Sequence, residues 1–204
     1  IILLAPTGSG KTLAFLLPLV QKLQLDKKGV QAVILVPTRE LALQIEDVFK
    51  KMGTPFKINA SYGGHSTKIE MNNFSTPPVV LVGTPGRIAY HINRNSFDVN
   101  TVTSYVLDEF DKSLEFGFEN DMSFIISRLS GLQQKFLTSA TAMDSIPEFT
   151  GVTNYQEVNY LHEHKVAPDL TLKRINTLAE EKLDTLFNLI CKIGEQSMLI
   201  FCNH

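Results

Sequence analysis

The stretch LLAPTGSGKTLAF, residues 3–15, is the part of this chain that decides its fold class, because an apolar run passes through a glycine-containing turn into a helical pattern. A polyphosphate needs several backbone N–H groups that converge on it at the positive end of a helix dipole, with no side chain in the way. Gly8 and Gly10 allow that approach, and Lys11 and Thr12 follow them directly. The stretch therefore predicts a phosphate-binding loop between a strand and a helix.

Two side chains of this loop carry chemistry of their own. We expect Lys11 to reach the β and γ phosphates as a point charge and the Thr12 hydroxyl to ligate Mg²⁺. Ala5 stands where the general phosphate-loop pattern has glycine, so the match is incomplete. A strand-to-helix turn without a ligand is the alternative reading of the same residues.

The composition is that of an ordinary globular protein, with 204 residues, 44% hydrophobic and 20% charged. This length has room for one α/β domain and part of another. A net charge of −2 means that any contact with nucleic acid must be local. Cys191 and Cys202 fit neither a metal site nor a disulfide framework, which favours a reducing, intracellular and most simply cytoplasmic location. We expect no membrane association, because no apolar run approaches the ~18 residues of a membrane helix and no signal peptide is visible.

Short apolar runs alternate with segments of helical period, which predicts a mainly parallel sheet flanked by helices. The expected strands are Ile1–Leu4, Ala32–Val36, Lys57–Ser61, Val79–Val82, Tyr105–Leu107, Lys135–Leu137 and Gln156–Asn159. Pro18 falls inside the helix after Thr12, so we expect a kink or an early end there.

The pattern changes at residues 160–169, which read as a linker that follows a first domain over residues 1–159. Residues 170–204 would begin a second, truncated α/β domain, with a helix that starts near Leu183 and a strand at Met198–Phe201. Both ends of the chain fall at or beside expected strands, which predicts that it is cut from a longer protein.

The second half of a nucleotide site is expected in SYVLDEFDKS, residues 104–113. Asp108 would lie at the carboxyl end of a strand, where ligands of open α/β sheets bind. It is placed to hold Mg²⁺ through water, and Glu109 beside it could orient or deprotonate an attacking water. A solvated acidic loop is the plainer alternative.

Six landmarks occur in a fixed order along the first 159 residues: APTGSGKT, PTRELALQ, YGG, TPGR, DEFD and SAT. Their order resembles the first RecA-like domain of the DEAD-box ATP-dependent RNA helicases. The resemblance implies a RecA-like P-loop NTPase domain that uses ATP and Mg²⁺. It also implies that this domain contacts the sugar–phosphate backbone of single-stranded or duplex RNA and works with a second RecA-like domain of the same chain.

The resemblance also implies a role for each matching residue. The ATP-binding loop would comprise Thr7, Gly8, Ser9, Gly10, Lys11 and Thr12. Catalysis would fall to Lys11, Asp108 and Glu109, and the metal would be held by Thr12 and Asp108. RNA sugar and phosphate would meet Pro37, Thr38, Arg39, Gly64, Thr84, Gly86 and Arg87. Asp111 would hydrogen-bond Ser139 and Thr141 and so couple the nucleotide site to movement between domains.

The chain departs from the family pattern in three places. Phe110 stands where the family has Ala, which keeps all three carboxylates but requires different packing. The family's adenine-reading segment would precede residue 1. The arginine-rich motif of the second domain is not present, and Arg174 is the last arginine, so we expect the 204 residues alone to be inactive as an ATPase.

Two other functions remain open on the sequence alone. One is a non-catalytic RNA-binding or annealing factor on the same fold, which the intact Lys11, Asp108 and Glu109 disfavour. The other is a related superfamily 2 ATPase that acts on DNA, which PTRELA, TPGR and SAT disfavour.

Overall fold

A computed structural model of the chain describes residues 1–64, 74–143, 145–161, 171 and 173–201. The chain divides into two compact units, residues 1–165 and residues 166–204. The predicted linker at 160–169 lies almost entirely outside the described residues, so its limits stay a prediction.

The first unit is built on one parallel sheet of seven strands. They are β1 Ile2–Leu4, β2 Ala32–Leu35, β3 Ile58–Ser61, β4 Val80–Gly83, β5 Ser104–Leu107, β6 Gln134–Ser139 and β7 Glu157–Asn159. Their order across the sheet is β3-β4-β2-β5-β6-β1-β7, and each neighbouring pair is parallel. All seven expected strands are confirmed, together with the parallel sheet.

Helices connect the strands on both faces of this sheet. They are α1 Lys11–Lys22, α2 Arg39–Lys51, α3 Pro85–Asn93, α4 Phe110–Glu115 and α5 Glu119–Arg128. Successive residues of a strand point to opposite faces, and β2 divides in this way: Ile34 joins the hydrophobic cluster of α1 and α2, whereas Val33 and Leu35 join that of α3, α4 and α5. Such burial on both faces is typical of a central parallel strand.

The topology brings the sequence landmarks to one edge of the sheet. The phosphate loop follows β1, Arg39 follows β2, Gly64 follows β3, Thr84 follows β4 and Asp108 follows β5. Because parallel strands all end at the same edge, these segments share the carboxyl edge, where α/β proteins bind their ligands.

The early helix end expected at Pro18 and the strand expected at Met198–Phe201 are both wrong. Helix α1 does not end at Pro18 but continues to Lys22, because Phe15, Leu16 and Leu19 anchor it in the core on both sides of the proline. Residues 198–201 form no strand, and Leu199 and Phe201 are 86% and 92% exposed. A strand needs a neighbour to pair with, and the described part of the second unit provides none; its regular elements are a 3₁₀ turn, Ala179–Glu181, and the expected helix, α6 Lys182–Ile193. Within the described residues, no helix is both long and apolar enough to cross a bilayer.

Candidate functional site

The phosphate loop takes the conformation that its glycines permit. Gly8 and Gly10 have φ angles of +80° and +90°, and Gly10 is the residue just before α1. A Cβ placed on either residue would meet nothing within 4 Å, so the backbone angle requires glycine there and crowding does not. The loop, including Thr7 and Ser9, is exposed and leads into the amino end of α1, where backbone N–H groups have no partner inside the helix.

Lys11, the first residue of α1, extends its side chain back to the start of this loop. Its ammonium group donates hydrogen bonds to the backbone oxygens of Ala5 and Pro6, at 2.6 and 2.9 Å, and the residue is only 8% exposed. Two carbonyl groups at the end of β1 thus hold the charge in place without a carboxylate. A phosphate must compete with these two oxygens for the ammonium group.

A cavity of about 220 Å³ lies beside the loop. It is lined by Ser9, Gly10, Lys11 and Ala14 on one side, and by Leu3, Ala5 and Tyr160 on the other. The backbone N–H of Tyr160 donates to the Leu4 oxygen at 2.7 Å, which continues the pairing of β7 with β1. The cavity therefore opens at the carboxyl edge, next to the Lys11 ammonium group.

Asp108 and Glu109 are held by one hydroxyl group that the sequence analysis did not select. Thr138 Oγ1, on β6, donates to Asp108 Oδ1 at 2.5 Å and accepts from the Glu109 backbone N–H at 3.2 Å. Glu109 has φ +49°, a left-handed conformation uncommon outside glycine. Thr138 thus fixes both the Asp108 carboxylate and the turn that presents Glu109.

The electrostatic environment makes both carboxyl groups better proton acceptors than they are in water. Burial raises the pKa of Asp108, although the hydrogen bond from Thr138 and the charge of Lys11 oppose this shift. The pKa of Glu109 is also raised, first by burial and then by the charge of Asp108. Paired carboxylates with raised pKa values are common in catalytic sites.

Asp111 meets the SAT segment through one of the two predicted hydrogen bonds. Thr141 Oγ1 donates to Asp111 Oδ2 at 2.8 Å. The predicted bond to Ser139 is wrong, because the Ser139 hydroxyl donates to the Thr141 oxygen at 2.6 Å and accepts from the Thr141 N–H, and so closes its own turn. Asp111 Oδ1 is buried without a hydrogen-bond partner, which leaves an acceptor available at this contact.

The oxygen donors at this edge have the chemistry that Mg²⁺ prefers. Thr12 offers a hydroxyl and Asp108 a carboxylate, and Mg²⁺ binds through few protein oxygens together with phosphate and water. Among the described residues, no group of three or more His, Cys, Asp or Glu side chains could hold a metal ion by itself. The donor set thus fits an ion that arrives with a nucleotide.

The predicted RNA-binding residues lie at the ends of β2, β3 and β4. Thr38 caps α2, with its side chain accepting from the Leu41 N–H at 3.3 Å, and places the exposed Arg39 in the first turn after the buried Pro37. Thr84 lies just before α3 but makes no side-chain capping hydrogen bond, and its N–H donates to the Ser61 oxygen at 3.1 Å.

The glycines of these segments are required for different reasons. Gly64, the last residue of the YGG landmark, has a φ angle of +91°, which residues with a side chain rarely adopt. Gly86 is exposed at the start of α3, where a Cβ would come within 3.4 Å of Asp121 Oδ2. Gly83, which the sequence analysis did not select, lies so close to β3 that a Cβ would come within 2.0 Å of the Ser61 oxygen. That approach sets how closely the YGG and TPGR segments can lie to each other.

Each predicted RNA-binding arginine also contacts an aromatic ring. The Arg39 Cζ atom lies 4.9 Å from the centre of the Tyr62 ring, and the Arg87 Cζ atom lies 4.7 Å from the centre of the Tyr90 ring. Neither tyrosine was among the predicted site residues, although Tyr62 belongs to the YGG landmark. Tyr90 follows Arg87 by three residues in a predicted helix, a spacing at which side chains touch, so its signal was present.

The comparisons with known proteins bear on the family of the chain. A family model described as DEAD/DEAH box helicase matches residues 1–149. The chain is 34% identical over 201 residues to the DEAD-box ATP-dependent RNA helicase CshA of Bacillus licheniformis, covering 97% of this chain and 41% of that protein. It is 36% identical over 215 residues to the ATP-dependent RNA helicase HCA4 of Saccharomyces cerevisiae, covering 97% of this chain and 28% of that protein. The chain thus spans about two fifths or less of these relatives.

Solved structures show the same RecA-like fold. A DEAD box protein from Methanococcus jannaschii is 36% identical and superposes with a TM-score of 0.65 over 70% of this chain and 39% of its own. The yeast DEAD-box splicing factor Prp28 is 30% identical, with a TM-score of 0.65 over 71% of this chain and 37% of its own. With a family model that matches residues 1–149 and relatives that are 34–36% identical over nearly all of its length, the chain belongs to the DEAD/DEAH box helicase family.

Proposed function

We propose that this chain is the nucleotide-binding part of an ATP-dependent RNA helicase, which couples ATP binding and hydrolysis to clamping of single-stranded RNA and local separation of duplexes. The observation that carries the proposal is the hydrogen bond from Thr141 Oγ1 to Asp111 Oδ2, because it joins the SAT segment to the helix that begins just after Asp108 and Glu109. A plain phosphate-binding protein has no need of this link between a nucleotide site and a second segment.

ATP would bind with its phosphates over the loop between β1 and α1. The loop N–H groups and the amino end of α1 would meet the phosphate oxygens. Lys11 would transfer its ammonium group from the Ala5 and Pro6 oxygens to the β and γ phosphates, where each hydrogen bond joins two charged groups. The loop is thus held in shape by Lys11 before ATP arrives.

Thr12 and Asp108 would hold the Mg²⁺ ion that accompanies ATP, Thr12 directly and Asp108 through water. When bound, this ion neutralises charge on the β and γ phosphates. Thr138 keeps one oxygen of Asp108 occupied and so limits how the carboxylate can turn.

Glu109 would orient the attacking water and accept its proton. The raised pKa of Glu109 suits this role, because a base transfers protons best when its pKa is near the working pH. The Thr138 hydroxyl, through the Glu109 N–H, would hold the residue in its left-handed conformation during the reaction.

RNA would lie across the carboxyl edges of β2, β3 and β4. Arg39 and Arg87 would meet phosphates, and the backbone at Pro37, Thr38 and Thr84 would support them, with Gly64 and Gly86 giving close approach. Contacts of this kind position a nucleic acid and carry no base specificity. The second RecA-like domain would close over the same strand, and ATP binding would favour closure through Asp111 and Thr141, with Ser139 holding the turn that carries Thr141.

We also propose an intracellular, cytoplasmic location, where ATP and RNA are present. The free thiol of Cys191 supports a reducing compartment.

An ATPase assay tests the proposal, in a longer protein that carries this chain together with a complete second domain. We expect single-stranded RNA to stimulate hydrolysis and single-stranded DNA of the same sequence to stimulate it far less. Hydrolysis that responds equally to DNA would favour a DNA-acting ATPase. RNA binding without hydrolysis would favour a non-catalytic annealing factor.

A further inference from the structure

Both arginines that we assign to RNA phosphates lie over tyrosine rings, although the two pairs come from different elements. Arg39, the first residue of α2, lies over Tyr62, which follows β3. Arg87 lies over Tyr90 within α3, one turn away. The same arrangement thus occurs twice along one edge of the sheet.

A contact of this kind orders a guanidinium group without using its hydrogen bonds. The positive charge is attracted to the electron-rich face of the ring. The five N–H donors of arginine lie in the plane of the group, so stacking on its flat face consumes none of them. An arginine held in this way loses less side-chain freedom when a phosphate binds, and affinity rises accordingly.

We propose that Tyr62 and Tyr90 are positioning residues for RNA binding, each of which holds an arginine in the orientation that meets a phosphate. The inference rests on the RNA-binding part of the proposed function. Tyr62 is buried in the core between α2 and β3, whereas Tyr90 is half-buried on α3, so Tyr90 is the residue to test.

Arg94 offers a matched control, because its Cζ atom lies 5.5 Å from the centre of the same Tyr90 ring. It follows α3, seven residues after Arg87, which places it about 10 Å farther along the helix axis and away from the carboxyl edge. Removing Arg94 removes an equal charge from the same ring without removing the proposed phosphate contact.

The stacking itself is tested without RNA, by the chemical shift of the Arg87 side-chain Nε–Hε group in NMR spectra. We expect Tyr90→Phe to keep the ring-current shift of this signal and Tyr90→Leu to abolish it, with backbone spectra otherwise preserved. An Arg87 signal that does not move in Tyr90→Leu would overturn the inference, whatever the chain does with RNA.

The effect on binding is tested in a longer protein that carries this chain together with a complete second domain, by anisotropy of a labelled single-stranded RNA at several salt concentrations. We expect Tyr90→Leu to weaken binding roughly two- to fivefold and Tyr90→Phe to bind as the unaltered chain does. In an Arg87→Ala background, Tyr90→Leu should have no further effect, and Arg94→Ala should weaken binding less than Arg87→Ala does.

Failure of the inference and failure of the proposed function give different results. RNA binding that depends on Arg87 but is unchanged by Tyr90→Leu would overturn the positioning role alone. Absence of any RNA binding by the longer protein without substitutions would overturn the proposed function and this role with it. A loss from Tyr90→Leu that persists in full in the Arg87→Ala background would show that Tyr90 acts through some other contact.

Discussion

Phe110, which replaces the alanine of the family's motif, gives the sharpest prediction about stability. Its side chain is fully buried at the start of α4, in the cluster under α3 and α5, and its ring centre lies 6.2 Å from that of Phe149. Phe110→Ala would restore the family's residue but leave a cavity of nearly a whole ring. Changes of Phe to Ala in a core cost about 3–5 kcal/mol in the free energy of unfolding.

This loss would be a large share of the free energy of unfolding, which for most domains is only about 5–15 kcal/mol. Urea denaturation followed by circular dichroism measures it as a fall in the midpoint at constant slope. The matched control is Phe116→Ala at the end of the same helix, where the side chain is 56% exposed. Its ring has an edge contact with Phe118, so we expect a loss of only about 0.5–1.5 kcal/mol.

Equal losses from Phe110→Ala and Phe116→Ala would refute the reasoning, because burial would then not decide the cost. A Phe110→Ala chain as stable as the unaltered one would show that the neighbouring helices can close the cavity. In either variant, Asp108 and Glu109 keep their own contacts with Thr138, so we expect nucleotide binding to survive wherever the chain remains folded.

Three further predictions concern single groups at the carboxyl edge. Gly83→Ala should lower the free energy of unfolding by about 2 kcal/mol or more, because its Cβ would meet the Ser61 backbone. Gly63→Ala is the control and should be nearly neutral, because a Cβ there meets nothing within 4 Å. Equal urea midpoints for the two variants would contradict this prediction. Asp108→Asn should raise stability at neutral pH while it abolishes Mg²⁺-dependent nucleotide binding. Burial raises the pKa of Asp108 in the folded chain, so its protonated carboxyl group stabilises the fold at pH values below the ordinary pKa of 3.8, and this stabilisation is lost as the pH rises through the raised pKa. Asparagine does not ionise, so the stability advantage of Asp108→Asn over the unaltered chain should grow from pH 4 to pH 7.5. An advantage that falls over this range would contradict the reasoning. Glu109→Gln, in a protein with a complete second domain, should bind Mg²⁺ and ATP but stall hydrolysis, and normal turnover would place the base elsewhere.

The sheet was predictable from the sequence because a buried parallel strand has a local signal, a short continuous run of apolar residues. Ala32–Leu35 is a continuous apolar run, and its burial on both faces is what such a run indicates. The phosphate loop and Asp108 were predictable for a related reason, since each is a polar segment that interrupts the pattern at the end of such a strand.

The remaining features depend on contacts that are distant in sequence. Thr138 meets Asp108 across thirty residues, and a threonine in a strand gives no sign of its partner. The strand expected at residues 198–201 failed because pairing needs a neighbour that a local pattern cannot supply. Pro18 is tolerated within α1 because tertiary packing outweighs the lost hydrogen bond.

The central claim is that the loop between β1 and α1 binds the phosphates of ATP through Lys11. Titration of a fluorescent ATP analogue into the chain, with and without Mg²⁺, tests it most directly. We predict saturable binding that Lys11→Ala weakens about 10- to 100-fold, the worth of a hydrogen bond between charged groups, in a variant that remains folded. Lys22→Ala, at the far end of the same helix, should leave the affinity unchanged. Equal affinity of the unaltered chain and Lys11→Ala would contradict the account.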